Sequence, residues 1–513
     1  MNNRFYITTP IYYPNGEPHL GSVYTTTICD VLARYHRLRG EATYFLTGTD
    51  EHGTKMAKAA AEAGTTPLEL ATKYAEIFRA TWRELKMSND DFIRTTEPRH
   101  REAVQKIVNQ LLETGDIYLG GYKGWYDEGQ EEFVTETQAK DNQYKSAISG
   151  KPLIQYSEPS YFFRLSKYVP KLIEYIEAHP EFIIPQSRRN EVLSKLRAGV
   201  DDLSISRGSL KWGIPMPNDP EHVVYVWIDA LANYISALGY GTADDAKFRQ
   251  FWPADVHVIG KDILWFHTVY WPALLMALGL ELPRTVAAHG WWIRGGKKAG
   301  KSTGGITTLP EIRELVSTYS LDVLRYHLLR AAPFGSDLEW SQEEFNKAFS
   351  ELGNVVGNLL NRVLKMVNDF RGGVLPANGE RDTTDDAVTS AIAKLPAALP
   401  EAYETLELQQ AAILPIEVAR AANGYIDATR PFSMKNDPGK AARLDTILHL
   451  SAQAIYRALV GLLPIMPDKA AAGLQQLGVD PSGKTIQQLL AADLRVGHKL
   501  GQGQPLFPRP EKK

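Results

Sequence analysis

The first fifty residues leave this chain little choice of fold. Residues 5–13 are an apolar, β-branched run that stops at Pro14, which suits a buried strand. Ser22 stands where it can cap a helix whose positions Val23, Thr27, Val31, Leu32, Tyr35 and Leu38 recur at helical spacing until Gly40. A second strand, residues 42–46, follows at once. This βαβ unit puts His19 and Gly21 at the mouth of a helix N-terminus, where unpaired N–H groups and the helix dipole attract anions. Gly21 lets a phosphate approach the backbone, and His19 can donate to a phosphate oxygen without a permanent charge. An ordinary glycine-rich turn with an incidental histidine fits these residues alone equally well.

Alternation of short strands and amphipathic helices continues to about residue 115, the mark of a parallel sheet with crossover helices. From Ile117 to about His222 the rhythm gives way to short aromatic and glycine-rich segments, with one helix near residues 166–178, and we read an insertion between two halves of the sheet. Strand signals return at residues 223–228, 256–259 and 285–289, and from Gln342 onward almost everything reads as helix. There Phe345, Phe349, Leu352, Val356, Leu359, Val363, Val367 and Phe370 step by three or four to make one buried stripe. The other side carries Asn354, Asn358, Asn361, Arg362 and Lys365. Asn358 and Arg362 project together, and such a face either hydrogen-bonds unstacked RNA bases or is simply solvated.

Length, 513 residues, allows about three domains. With 44% apolar and 23% charged residues the composition is that of an ordinary globular protein. No apolar run reaches membrane-spanning length and the N-terminus has no basic-then-apolar signal pattern. Cys29, the single cysteine, excludes an intrachain disulfide and a zinc knuckle built from cysteines, and fits a reducing cytoplasm. A net charge of −3 gives no global basic field, though a local basic stripe can still serve nucleic acid.

Gly295-Gly296-Lys297-Lys298-Ala299-Gly300-Lys301-Ser302 matches the phosphate-loop pattern G-x-x-x-x-G-K-[ST]. A true phosphate loop opens a helix, whereas Thr303-Gly304-Gly305-Ile306-Thr307-Thr308-Leu309-Pro310 opposes immediate helix growth. The stretch reads instead as a cationic surface loop after a strand (residues 287–293), from which Lys298 and Lys301 can swing onto a polyphosphate.

Together these features resemble the class I aminoacyl-tRNA synthetases. That family pairs a His-Ile-Gly-His-type motif after the first strand with a Lys-Met-Ser-Lys-Ser-type loop after the last, matched here by His19-Leu20-Gly21-Ser22 and Lys298-Ala299-Gly300-Lys301-Ser302. The likeness sharpens to the methionyl-tRNA synthetases over nearly the whole chain. Its carriers are Thr8-Thr9-Pro10-Ile11-Tyr12-Tyr13, Thr47-Gly48-Thr49-Asp50-Glu51-His52-Gly53, Tyr161-Phe162-Phe163-Arg164-Leu165-Ser166, Val226-Trp227-Ile228-Asp229-Ala230 and Ile259-Gly260-Lys261-Asp262-Ile263. Pro333-Phe334-Gly335-Ser336-Asp337 and Gly357-Asn358-Leu359-Leu360-Asn361-Arg362 follow.

The resemblance implies an α/β fold: a Rossmann-like parallel-sheet catalytic domain (1–116 and 223–341) with a connective-peptide insertion (117–222), followed by an all-α helical-bundle anticodon-binding domain (342–513). It implies a cytoplasmic ligase that joins L-methionine to tRNA(Met) with ATP and Mg2+, through methionyl-adenylate. His19, Lys298 and Lys301 would be catalytic, holding the phosphates with Gly21, Ser22 and Ser302. Gly260 and Asp262 would meet the adenosine, and Trp292 falls where the family's backbone lines the adenine pocket. Ile11, Tyr13, Asp50, Trp227, Ala230, Leu231, Tyr234, Ile263 and His267 would bind methionine, Asp50 facing its ammonium. Asn358, Arg362 and Phe432 would read the anticodon.

The sequence departs from the family pattern in four places. Ser22 replaces the second histidine of the first motif, and Ala299-Gly300 replaces Met-Ser in the loop. Phe432 stands where a tryptophan is usual. The insertion has no paired cysteines and His179 as its one histidine between Ile117 and Glu221, so no structural zinc is expected. A monomer is expected, because some relatives dimerise through an appended RNA-binding module and this sequence runs through Gln504-Pro505-Leu506-Phe507-Pro508-Arg509 without one. Another class I synthetase, or an inactive synthetase-like RNA-binding protein, remains as an alternative, and a phosphate-loop NTPase is disfavoured.

Overall fold

The computed structural model describes residues 3–128, 132–134, 136–208, 210–294, 297–298 and 307–510. It divides into two compact units, one of residues 1–30 and 43–290, the other of residues 31–42 and 291–513.

The first unit is built on a six-stranded sheet in the order Asp91–Arg94, Ala42–Thr49, Arg4–Thr8, Val256–Gly260, Thr285–His289, Ile183–Ile184. Arg4–Thr8 runs parallel to Val256–Gly260, as do Val256–Gly260 to Thr285–His289, Thr285–His289 to Ile183–Ile184, and Ala42–Thr49 to Asp91–Arg94. Helices Leu20–Leu38, Pro67–Glu84 and Pro98–Glu113 make the crossovers of its first half. Pro67–Glu84 starts on a capping box in which Thr66 and Glu69 satisfy each other's backbone N–H.

The register of the central pair is pinned by polar contacts as well as the ladder. Asp255 accepts from Tyr6 N at 2.8 Å and from Arg4 at 2.7 Å, and the Thr8 hydroxyl meets His257 Nδ1 at 2.7 Å. At Gly48 the backbones of neighbouring segments close in: a Cβ there would lie 2.1 Å from the Ile93 carbonyl oxygen and 3.0 Å from an Ile11 methyl.

Three sequence readings shift here. The opening strand ends at Thr8, not at residue 13, and Tyr12 touches the sheet only through a single bridge to Thr49. The first helix starts at Leu20, so Ser22 lies inside it. Residues 223–228 form no strand of the parallel sheet: Val223 and Val224 end the strand Asp219–Val224 of a small separate sheet with Pro215–Met216 and Ser206–Arg207, and Val226–Leu231 is helical. Between Ile117 and Ser204 lies an antiparallel sheet of Glu132–Val134, Ile117–Asp127, Ile154–Phe163 and Leu203–Ser204.

In the second unit, helix Ala441–Leu462 is buried on nearly every side, as expected of a helix at the centre of a bundle. Helices Asn358–Arg371, Asp386–Glu404, Leu408–Thr429, Pro467–Gln476 and Ile486–Ala491 pack on it or on one another. Some of its buried polar groups find partners across the bundle: His449 Nδ1 meets the Pro376 carbonyl, and Gln453 both donates to and accepts from the Leu494 backbone. Among the described residues no helix is long and apolar enough to cross a membrane.

Gly48→Ala should lower stability by at least about 1–3 kcal/mol, the usual range for overpacking a tight site. Thermal unfolding read at the Trp signal checks it; an unchanged midpoint would show that the strand edges can part.

Candidate active site

Within the first unit, Ile11, Tyr13, Asp50, Gly260, Asp262 and Ile263 lie at or just beyond the C-terminal ends of parallel strands, where open α/β sheets bind ligands. After the first strand the chain turns through Ile11–Tyr13, and this turn is tied to the end of the second strand: Tyr12 N donates to Gly48 O, and Asp50 N to Tyr12 O. Asp50 therefore sits beside Ile11 and Tyr13 and is 4% exposed.

At the mouth of helix Leu20–Leu38 the His19 imidazole folds back onto the helix. Its Nδ1 accepts from Gly21 N at 3.1 Å, so a neutral ring carries its proton on Nε2. A Cβ at Gly21 would lie 2.9 Å from His19 Cε1, which is why glycine is needed there. The Ser22 hydroxyl accepts from His19 N and donates to His19 O, at 2.9 and 2.8 Å. Ser22 thus does cap, but from within the first turn.

The aromatic half of the site rests on helix Val226–Leu231 and on the π-helical turn Phe266–Tyr270, a widened turn of the kind common at functional sites. Trp227 stacks on Phe266 with centroids 3.7 Å apart and stands edge-on to His267 at 6.4 Å. Among the described residues the buried Trp227 Nε1 has no hydrogen-bond partner. His267 Nδ1 donates to Ile263 O at 2.9 Å, and its Nε2 lies 2.7 Å from the Tyr234 hydroxyl. The tautomer is thereby fixed: Nε2 accepts and Tyr234 donates. Burial pushes the His267 pKa down to about 4, against the upward pull of the Ile263 carbonyl and Asp262. Behind it His257, also held neutral by burial, accepts from Trp271 Nε1. Ala230 and Leu231 are buried on the same helix as Trp227, while Ile11, Tyr13, Trp227 and Ile263 pack half-buried against the core.

Gly260 ends the Val256–Gly260 strand, and Asp262 lies in the short 3-10 turn Lys261–Ile263 that follows. A Cβ on Gly260 would come within 2.7 Å of Asp262 Oδ1 and 3.8 Å of His289 Cε1. His289, which sequence reasoning did not single out, donates from Nδ1 to Gly290 O and pairs its Nε2 with Thr25 at 2.7 Å, linking the end of strand Thr285–His289 to helix Leu20–Leu38. Also missed were Glu51, held by Arg94 at 2.6 and 3.0 Å, and Asp229, shared by His52 and His100. His52 and Asp229 were visible as motif members, whereas no local pattern marks His100.

In the second unit Trp292 is buried against His327 and Trp340, with centroids at 5.9 and 5.8 Å. Lys298 lies in the short strand Lys297–Lys298, paired with Trp292–Arg294, and its side chain is outside the described residues, as are Lys301 and Ser302 entirely. The next described helix is Leu309–Tyr319, capped by Thr308 and Glu311, and it starts well beyond Ser302.

A groove of about 520 Å³ lies between helices Asn358–Arg371 and Leu408–Thr429, lined by Asn354, Asn358, Asn361, Arg362, Asn423 and Phe432 among others. Arg362 is aimed by Asp427 at 2.6 Å and Asn423 at 3.4 Å. Phe432 is 52% exposed and braced edge-on by Phe370 at 5.8 Å. The sequence-predicted trio of Asn358, Arg362 and Phe432 is brought together.

The depressed His267 pKa makes stability depend on pH. Above pH 6.5 both folded and unfolded forms are neutral and its contribution is complete. Between there and about pH 4 the unfolded chain binds a proton that the folded chain refuses, so this group removes about 1.4 kcal/mol per pH unit. His267→Gln should flatten the fall of the unfolding midpoint across that window, as measured by calorimetry; an identical slope would mean that the ring titrates normally.

Comparison with known proteins identifies the family. The family model described as tRNA synthetases class I (M) matches residues 5–142 and 140–364. The methionine–tRNA ligase of Caldanaerobacter subterraneus subsp. tengcongensis is 44% identical over 510 residues, covering 99% of this chain and 79% of that protein. The Bacillus subtilis methionine–tRNA ligase is 42% identical over 525 residues, with 99% and 78% covered. Among solved structures, the Mycobacterium tuberculosis methionyl-tRNA synthetase in complex with methionyl-adenylate superposes with a TM-score of 0.93 at 38% identity, covering 99% of this chain and all of that one. Matched this closely along nearly its whole length, the chain belongs to the methionine–tRNA ligases of the class I tRNA synthetase family.

Proposed function

We propose that this protein activates L-methionine with MgATP, releasing pyrophosphate, and transfers the methionyl group from the adenylate to the terminal ribose of tRNA(Met). The observation that carries the reading is the cluster of Trp227, Tyr234 and His267. A thioether is soft, polarizable and content against aromatic rings, and a neutral His267 with its acceptor nitrogen filled by Tyr234 presents it with no charge. Other class I specificities and an NTPase are not favoured.

In this mechanism Asp50 faces the substrate ammonium, while Ile11, Tyr13, Ala230, Leu231 and Ile263 complete the methionine site. The methionine carboxylate attacks the α-phosphorus, and the bond to the bridging oxygen of pyrophosphate breaks. His19, with its proton on Nε2, donates to phosphate oxygens as charge moves onto the leaving group, and the helix mouth at Gly21 and Ser22 adds its own positive field. Lys298, Lys301 and Ser302 would neutralise the same charge. Asp262 accepts from a ribose hydroxyl beside the open backbone of Gly260, and the Trp292 backbone borders the adenine. Positioning and charge stabilisation do the work, with no covalent nucleophile on the protein.

The groove of the second unit would take splayed anticodon bases. Asn358 and Arg362 offer amide and guanidinium groups to base edges, and Phe432 offers a ring for stacking. Mg2+ enters as part of the nucleotide substrate. The division into 1–116, 117–222, 223–341 and 342–513 is kept as a functional one, and a cytoplasmic monomer is the state we assign.

Methionine-dependent ATP–pyrophosphate exchange tests the reading; exchange with none of the amino acids would leave an RNA-binding scaffold. Lys301→Ala should slow exchange by on the order of 10²–10³-fold with methionine affinity nearly intact, as for loss of one preorganised donor. Phe432→Ala should cost about 1–3 kcal/mol in tRNA charging, the worth of one stacked base, and leave exchange alone. Equal damage to both steps would make Phe432 merely structural.

A further inference from the structure

A second polar cluster lies behind the methionine residues, and no step of the reaction above uses it. Asp229, His100 and Ser236 are fully buried, and His52 is nearly so. His52 Nδ1 donates to Asp229 Oδ2 at 2.6 Å, and His100 Nε2 donates to Asp229 Oδ1 at 2.7 Å. The other nitrogen of His100 takes the Ser236 hydroxyl at 2.7 Å. Each carboxylate oxygen therefore has one imidazole donor, and each imidazole comes from a different segment. His52 lies two residues after Asp50. Asp229 lies two residues after Trp227 and directly before Ala230. His100 belongs to helix Pro98–Glu113, which supplies none of the methionine-site residues.

Resting on the methionine site proposed above, we propose that His100 is a positioning residue for it: by fixing the plane of the Asp229 carboxylate, it sets the Trp227-bearing helix against the Asp50-bearing turn. The turn is already held from one side, because Glu51 takes Arg94, Thr96 and Thr49. Those bonds fix the turn to its own sheet edge. The His52–Asp229 bond joins it to the aromatic wall, and His100 keeps that bond in line. Without the His100 donor, Asp229 Oδ1 loses its partner in a buried site, and rotation of the carboxylate toward another donor drags His52 with it. The site would then present an ammonium acceptor and an aromatic wall at the wrong spacing, a fault that methionine feels and the nucleotide does not. Burial alone would raise the Asp229 pKa, but the two histidines hold it at about 2, so the carboxylate remains an acceptor for both.

The test is exchange kinetics on the full chain. His100→Leu keeps bulk and removes the donor; it should raise KM for methionine about tenfold or more, with kcat and KM for ATP within about twofold. His100→Gln, whose amide can still donate toward Asp229, should recover most of that loss. Ser236→Ala frees the ring behind and should raise KM for methionine about two- to threefold, which keeps the idea testable should the leucine variant not fold. An unchanged methionine KM in folded His100→Leu or Ser236→Ala overturns the proposal, as does an equal rise in both KM values. Wild-type protein without methionine-dependent exchange would overturn the methionine site itself, a failure distinct from an exchange-competent wild type with insensitive variants.

Discussion

The parallel pairing of Arg4–Thr8 with Val256–Gly260 is the contact on which the rest depends. It joins the ends of a very long loop of chain, and it creates the switch point at which neighbouring strands leave the sheet in opposite directions. One exit carries Ile11, Tyr13 and His19; the other carries Asp262, Ile263 and His267. Polar clamps at Arg4, Tyr6 and Thr8 fix its register through Asp255 and His257. In a parallel ladder a one-residue slip would turn every side chain to the opposite face, so these clamps also decide which residues face the ligand.

The half of the site proposed for methionine gets its character from how its histidines are treated. His267 and His257 are stripped of water and given neutral hydrogen-bond partners, so they act as polar spacers within an aromatic wall. His52 and His100 instead face a carboxylate. Neighbouring segments thus hold one neutral cluster and one charged cluster, and segregating them lets the site stay uncharged toward a thioether while its scaffold is fastened by strong bonds.

Much of this was legible in the sequence. The βαβ opening, the strand at residues 285–289 and the helical stripe from Phe345 follow from local periodicity, and the structure has each of them. Motif order along the chain singled out Asp50, Trp227 and His267 as candidates for the site. What sequence could not give was pairing across distance: that His289 reaches Thr25, or that His100 shares Asp229. Such bonds depend on the sheet being assembled, and nothing within a few residues of His100 distinguishes it from any core histidine. The apolar run at residues 223–228 was misread because Val, Trp and Ile suit a strand by propensity, while packing against the Phe266–Tyr270 turn makes the stretch from Val226 helical.

The central position of the opening strand has a consequence for biosynthesis. Arg4–Thr8 leaves the ribosome long before Val256–Gly260, so one of its two sheet edges has no partner until residue 260 has followed. At about 5–20 residues per second this interval is on the order of 12–50 s. Throughout it, an apolar strand with an open edge is exposed to pairing with other nascent chains. A chain with this topology therefore has reason to lean on chaperones during translation, and a slow or paused ribosome upstream of codon 260 would be more hazardous to it than the same pause later.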